Sequence, residues 1–150
     1  MKTLTRRTKS PEHTLGIVAS TFNQEYVDGM LKACLENLPG VAPGSFAFQV
    51  PLKSLSPVQT LLKKKEIHAV IAFGVIWQGK TAHADLIGST ATQALMQLML
   101  LFEKPVIHQI LMVQNERQAR ERCFGKKLNR GREAAEAALQ ILKSDIESYG

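Results

Sequence analysis

The densest set of chemically useful groups in the chain lies in Gly74-Val75-Ile76-Trp77-Gln78-Gly79-Lys80-Thr81-Ala82-His83. Lys80 and Thr81 offer a cation and a hydroxyl to an anion, the glycines permit close backbone approach, and His83 can give and take protons near neutral pH. The short apolar run Ala69-Val70-Ile71-Ala72-Phe73 precedes them and predicts a buried parallel strand. A long apolar helix pattern follows, over Asp85–Phe102. A loop leaving the carboxyl end of such a strand is where open α/β sheets collect ligands.

The elements that must position this loop follow from apolar spacing. Leu15–Ala19 predicts a strand, and Ser20-Thr21-Phe22-Asn23 a loop with Asn23 as candidate helix cap. Val27, Met30, Leu31, Cys34, Leu35 and Leu38 repeat at helical spacing up to Pro39-Gly40. Val41–Gly44 reads as a turn, and Phe46–Val50 as a short strand before Pro51. Ser56-Pro57 predicts a helix start, with Ser56 as cap, Val58, Leu61 and Leu62 facing the core, and Lys63-Lys64-Lys65 as its wet end. His13 and His68 precede strands and are expected to face solvent. After Pro105, Val106–Val113 predicts another strand, followed by helices over Glu116–Arg122 and Glu133–Ile146. The alternation predicts a three-layer α/β/α sandwich, its four-stranded parallel sheet flanked by helices. The 85–102 helix is apolar around most of its circumference, which predicts burial between subunits of a homo-oligomer.

At 150 residues and 45% hydrophobic content, the chain fits one domain over 14–150 behind a basic tail over 1–13. The net charge is +6, but Lys2, Arg6, Arg7 and Lys9 all precede the first acidic residue, Glu12. A solvated tail is expected rather than a nucleic-acid arm, since no nucleic-acid-binding signature accompanies it. Cys34 and Cys123 lie far apart in helical patterns and are expected to be reduced thiols. With no signal peptide, membrane span or metal-ligand cluster in the pattern, the expectation is a cytoplasmic protein free of membrane and metal.

One competing motif is literal: Gly74 to Thr81 spells G-x-x-x-x-G-K-[ST], the P-loop pattern, after a strand. A phosphate-cradling loop needs compact residues, whereas Val75, Ile76 and Trp77 are bulky and would continue the strand. Nor does an apolar strand close on an aspartate that could hold magnesium. A nucleotide hydrolase is therefore disfavoured.

Three further motifs accompany A-x-G-x-x-x-x-G-x-T-x-H at Ala72–His83: Phe22-Asn23, Phe48-Gln49-Val50-Pro51, and Glu121-Arg122 with Asn129-Arg130-Gly131. Together they resemble the lumazine synthase family. The resemblance implies a flavodoxin-like sandwich assembled as pentamers, in some members as sixty-subunit shells. It also implies joining of a ribitylamino-pyrimidinedione amine to dihydroxybutanone phosphate, in the penultimate step of riboflavin biosynthesis, without metal or organic cofactor. Riboflavin synthase is the macromolecular partner it suggests.

On that resemblance His83 is the acid-base group, and Arg122 binds phosphate with Lys80 and Thr81. Phe22 is the stacking platform for the pyrimidine. The backbones of Val75, Ile76 and Trp77, and of Ala47, Phe48 and Gln49, read the pyrimidine and ribityl groups. His108 and Arg130 complete the site, in part from the adjacent subunit. Plainer readings stand beside these: His83 as a helix cap, Phe22 as packing, and Arg122 as one more surface arginine beside Arg117 and Arg120. For His108, stacking on substrate and a satisfied strand residue are equally open.

The chain also departs from the family pattern. Gln49 stands where a carboxylate is usual, Gln78 for an arginine or lysine, Lys80 for a small or acidic residue, and His108 for an aromatic ring. The stretch between Leu38 and Phe48 is several residues short. These departures support a second expectation, a shell-forming or flavin/lumazine-binding relative with weak or absent catalysis. The segment Cys123–Gly131 carries no insertion that would forbid a sixty-subunit particle.

Overall fold

The computed structural model describes residues 14–39, 47–50, 54–79 and 82–148, at 47–50 and 145–148 by the backbone alone. The 1–13 tail with His13, the 41–44 turn, Pro51, and the candidate anion ligands Lys80 and Thr81 lie outside the described residues. In chain order the elements are β1 (Thr14–Ser20), α1 (Gln24–Glu36), β2 (Ala47–Val50), α2 (Ser56–Leu62), β3 (Ile67–Trp77), α3 (His83–Phe102), β4 (Val106–Val113), α4 (Glu116–Cys123) and α5 (Arg130–Ser148).

All strand pairs are parallel, and the sheet order is β2-β1-β3-β4. Parallel strands need crossovers that cover both faces, so the central strands are apolar on both sides. Alternate residues of β1 and β3 accordingly feed two cores. Ile17, Ala19, Ile71, Phe73 and Val75 pack with Val27, Met30 and Cys34 of α1 and Ala134, Ala135 and Ala138 of α5. On the opposite face Val18, Val70, Ala72 and Ile76 pack with Val58, Leu61 and Leu62 of α2 and Ala91 and Leu95 of α3. The expected α/β sandwich is the observed fold. Its two thiols, Cys34 and Cys123, are free and buried, and burial pushes them up to about 12 and about 11, respectively.

Several local expectations need correction. The central strand does not stop at Phe73 but runs to Trp77, because Gly74–Trp77 stay in register with Ile110–Val113 of β4. The first four residues of what reads as a glycine loop are therefore strand. Helix α3 begins at His83 rather than Asp85, and α5 at Arg130 rather than Glu133. The earlier start of α5 follows from buried Asn129, whose Oδ1 accepts from Arg132 N at 3.1 Å, the N-cap arrangement. Ser56 is not the cap of α2. The carbonyl of Leu55 accepts from Val58 and Gln59, so the helix is entered one residue earlier, and Ser56 Oγ faces Ser54 Oγ at 3.0 Å. His68 lies within β3, where its Nδ1 accepts from Thr14 N at 3.2 Å across a register irregularity. The end of α2 is held from a distance: Lys104 Nζ donates to the carbonyls of Leu62 (2.9 Å) and Lys64 (2.6 Å).

Helix α3 buries only part of its apolar surface. Leu86, Met96, Leu100 and Leu101 remain exposed, the last two at 72% and 70%.

Candidate active site

In this sheet all carboxyl ends share one edge, and the order reverses between β1 and β3: the chain leaves β1 toward β2 and leaves β3 toward β4. The crevice opened by that reversal is the binding position of doubly wound sheets. Three segments converge there, namely Ser20–Asn23 after β1, Trp77–Gly79 at the end of β3, and His83 at the start of α3. Of the expected site residues, the fold brings Phe22, Val75, Ile76, Trp77 and His83 to this crevice.

The turn after β1 is tightly specified. Buried Ser20 accepts from Phe22 N through its hydroxyl at 3.1 Å, and the Phe22 ring is 57% exposed. Asn23 follows in the left-handed region (φ 52, ψ 44), which asparagine tolerates better than most residues. It is the N-cap of α1 by backbone only, with no side-chain capping bond. Its carboxamide instead reaches back to β3: Nδ2 donates to Val75 O at 2.8 Å, and Oδ1 accepts from Trp77 Nε1 at 3.0 Å. The β1–β3 ladder ends at Ala19 opposite Phe73, so the Asn23 amide serves the next carbonyl as a continued strand would. Trp77 is half-buried, and Tyr26 packs edge-on against it with centroids 5.6 Å apart and planes at 85°. Tyr26 also meets Phe124 at 5.7 Å.

Beyond Trp77, Gln78 N extends the ladder to Val113 O at 2.8 Å, and Gln78 Nε2 donates to Asp85 Oδ1 at 3.0 Å. That bond clasps the end of β3 to the first turn of α3. His83 opens α3 with its side chain exposed, free of any described side-chain hydrogen bond, at the end of the helix where backbone N–H groups are unpaired. The backbones of Ala47, Phe48 and Gln49 lie beside Ile17, Val18 and Ala19, at the same sheet edge.

Arg122 is distinguished from its neighbours by what it contacts. Arg117 pairs with Glu121 and Arg120 with Glu116, each at 3.0 Å on exposed helix surface. Half-buried Arg122 has no carboxylate partner among the described residues, and its Nη1 donates to Met112 O at 3.3 Å. It therefore keeps most of its guanidinium donors for an anion. The start of α4 is anchored by Asn115, whose side chain accepts from Gln118 N at 2.9 Å. Arg130 is ion-paired with Glu133 in the first turn of α5.

His108 sits opposite Ala72 in β4, away from the carboxyl end of the strand. Its Nδ1 accepts from Ile110 N at 3.3 Å, which puts the proton of the neutral ring on Nε2, 2.8 Å from Thr92 Oγ1. Thr92 in turn donates to Gly88 O at 2.8 Å. Within its own chain His108 is thus a satisfied strand residue, and burial lowers its pKa.

Sequence reasoning missed the roles of Asn23, Gln78 and Asn129. An asparagine three residues past a strand end was the available signal for the first, since its amide can stand in for a missing strand partner. A shallow cleft between α1 and the α4–α5 segment carries Glu25, Asp28 and Glu36 against Lys32, Lys126 and Arg132. With its charges balanced, that cleft selects no ligand sign. Among the described residues no cluster of three His, Cys, Asp or Glu could hold a metal, and no helix is long and apolar enough to cross a membrane.

The parallel sheet flanked by helices and its order, reversing between β1 and β3, define a flavodoxin-like α/β protein. Sequence comparison narrows that class. Residues 12–145 match the family model of 6,7-dimethyl-8-ribityllumazine synthase, and the chain belongs to that family. It is 33% identical to the 6,7-dimethyl-8-ribityllumazine synthase of Cytophaga hutchinsonii, over 87% of this chain and 86% of that protein. It is 35% identical to the synthase of Aquifex aeolicus, over 84% and 85%, and 32% identical to 6,7-dimethyl-8-ribityllumazine synthase 1 of Caulobacter vibrioides, over 87% and 88%.

Proposed function

We propose that this chain is a transferase that condenses 5-amino-6-(D-ribitylamino)uracil with 3,4-dihydroxy-2-butanone 4-phosphate, releasing phosphate and water and forming 6,7-dimethyl-8-ribityllumazine. What supports this reading is an exposed Phe22 just after β1 and an exposed His83 at the start of α3, each following the carboxyl end of one of two neighbouring strands, in a chain that matches the family over residues 12–145. Phe22 stacks on the pyrimidine, and the backbones of Val75, Ile76 and Trp77 read its edge. The backbones of Ala47, Phe48 and Gln49 meet the ribityl hydroxyls. His83 relays protons as the imine forms, phosphate leaves and the ring closes with loss of water. Arg122, with Lys80 and Thr81, holds the phosphate and stabilises it as a leaving group.

Residues 14–150 form the synthase domain, and 1–13 a basic tail. The exposed α3 residues Leu86, Met96, Leu100 and Leu101 support burial against further copies, in a pentamer or a sixty-subunit shell. His108 and Arg130 serve the site across that contact. The protein works in the cytoplasm, and riboflavin synthase is its candidate partner.

Mixing the purified protein with both substrates yields the fluorescent lumazine. Absence of product from well-folded oligomer overturns the synthase reading. A second reading, a weakly catalytic shell-forming or lumazine-binding relative, is favoured by one observation: Gln78, where the family has a cation, is tied to Asp85. A very large native particle with slow turnover is its signature.

A further inference from the structure

We propose that Trp77 is a positioning residue for the pyrimidine side of the site, acting through Asn23 on the Phe22 ring. The role rests on the synthase reading for its substrate, but the geometry stands by itself. Phe22 is clamped from both sides. Its N–H donates to Ser20 Oγ at 3.1 Å, and the next residue, Asn23, is pinned to β3 by both ends of its carboxamide. One pin is the main-chain carbonyl of Val75, which any residue at that position would supply. The other is the indole N–H of Trp77, a donor that aliphatic and phenyl side chains lack.

The indole is itself immobilised, half-buried with Tyr26 packed edge-on at 5.6 Å. Its orientation is therefore imposed by α1, and Asn23 inherits it. The backbone it holds is in the left-handed region, where a non-glycine residue persists only if its surroundings determine it. An exposed ring on such a turn has little packing of its own, so its placement is that of its backbone. Losing the indole donor leaves Oδ1 of Asn23 without this partner, and the turn carrying Phe22 gains alternative conformations.

The test is a double-mutant cycle of Trp77→Phe and Asn23→Ala, read as binding of 6,7-dimethyl-8-ribityllumazine and, separately, of inorganic phosphate. Each single variant is expected to weaken lumazine binding about tenfold, and the double variant no more than either one. Phosphate affinity is expected to stay within about twofold, a selectivity that general loosening of the fold would not produce. Since Trp77 is the one tryptophan in the chain, its indole N–H is a single resonance. Its hydrogen exchange is expected to be slow in the wild type and fast in Asn23→Ala. Additive losses, equal weakening of both ligands, or an indole N–H that exchanges fast in the wild type would overturn the proposal. Turnover separates the two readings. A protein that shows this binding pattern yet makes no lumazine discards the synthase reading and keeps the role of Trp77, and one that makes lumazine with additive losses does the reverse.

Discussion

The Nε2 nitrogen of His108 lies 2.8 Å from Thr92 Oγ1, joining β4 to α3, while its Nδ1 accepts from Ile110 N, and it is this second bond that requires a neutral imidazole. Protonation would turn Nδ1 into a donor facing a donor, and burial opposes the charge as well. The folded-state pKa is therefore lowered, and below about pH 6.5 the unfolded chain binds more protons than the folded one. Stability is full above that pH and falls as the pH drops through and below it. Urea unfolding at pH 7.5 and 5.5 should show a lower midpoint at the acidic pH, and a smaller difference in His108→Gln.

His83 is exposed at the first position of α3 and packs into neither core, so its removal should separate chemistry from folding. His83→Ala is expected to slow lumazine formation by roughly 10²–10⁴-fold, the usual range for general acid-base catalysis. The melting temperature should move by less than about 2 °C, as for surface substitutions generally. Single-turnover kinetics and a thermal melt check both halves.

Three arginines crowd α4, and their contacts make them unequal. Arg122→Ala removes a guanidinium without a described carboxylate partner and should raise KM for the phosphate-bearing substrate by roughly 10–100-fold, as for lost hydrogen bonds to a charged group. Arg117→Ala removes a rim arginine already paired with Glu121 and should change it by less than about twofold. Comparison of KM for the two substrates distinguishes a phosphate contact from general damage.

Gly131 sits inside α5, where alanine would ordinarily be favoured by about 1 kcal/mol. Here sterics win, because a Cβ at this position would collide with Met30 O and stand 2.7 Å from Met30 C, backbone atoms that cannot rotate away. Gly131→Ala should destabilise the protein by about 2–4 kcal/mol, on the scale of severe overpacking, by forcing α1 and α5 apart. Thermal or urea unfolding gives the answer, and an unchanged midpoint would show that this approach is not needed.

Much of the fold and of the candidate site is legible in the sequence because its groups are local. His83, the Ala69–Phe73 run and the alternation of strand and helix patterns follow from periodicities of two and 3.6, which a short window contains. The P-loop spelling was likewise answered locally: Val75, Ile76 and Trp77 are residues that extend strands, and they do so. The differences lie at element ends: Asn23 caps α1 by its backbone and not its side chain, Leu55 rather than Ser56 caps α2, and α3 starts two residues before the apolar pattern that begins at Asp85. Terminal hydrogen bonds depend on what the neighbouring strand leaves unpaired, and that neighbour is distant in sequence.

The amino-acid sequence by itself determined that two apolar faces must be covered, that four strands run through the core, and that a histidine follows the central one. Only the tertiary structure decided that the strands lie in the order β2-β1-β3-β4, which opens the crevice between β1 and β3. Only there does Asn23 meet Trp77, 54 residues along the chain, and Lys104 reach the end of α2, 42 residues before it. The physical reason is one of range. Burial patterns are written in adjacent residues, whereas a hydrogen bond between distant side chains leaves no periodic trace and exists only once the sheet has brought its two ends within 3 Å or so.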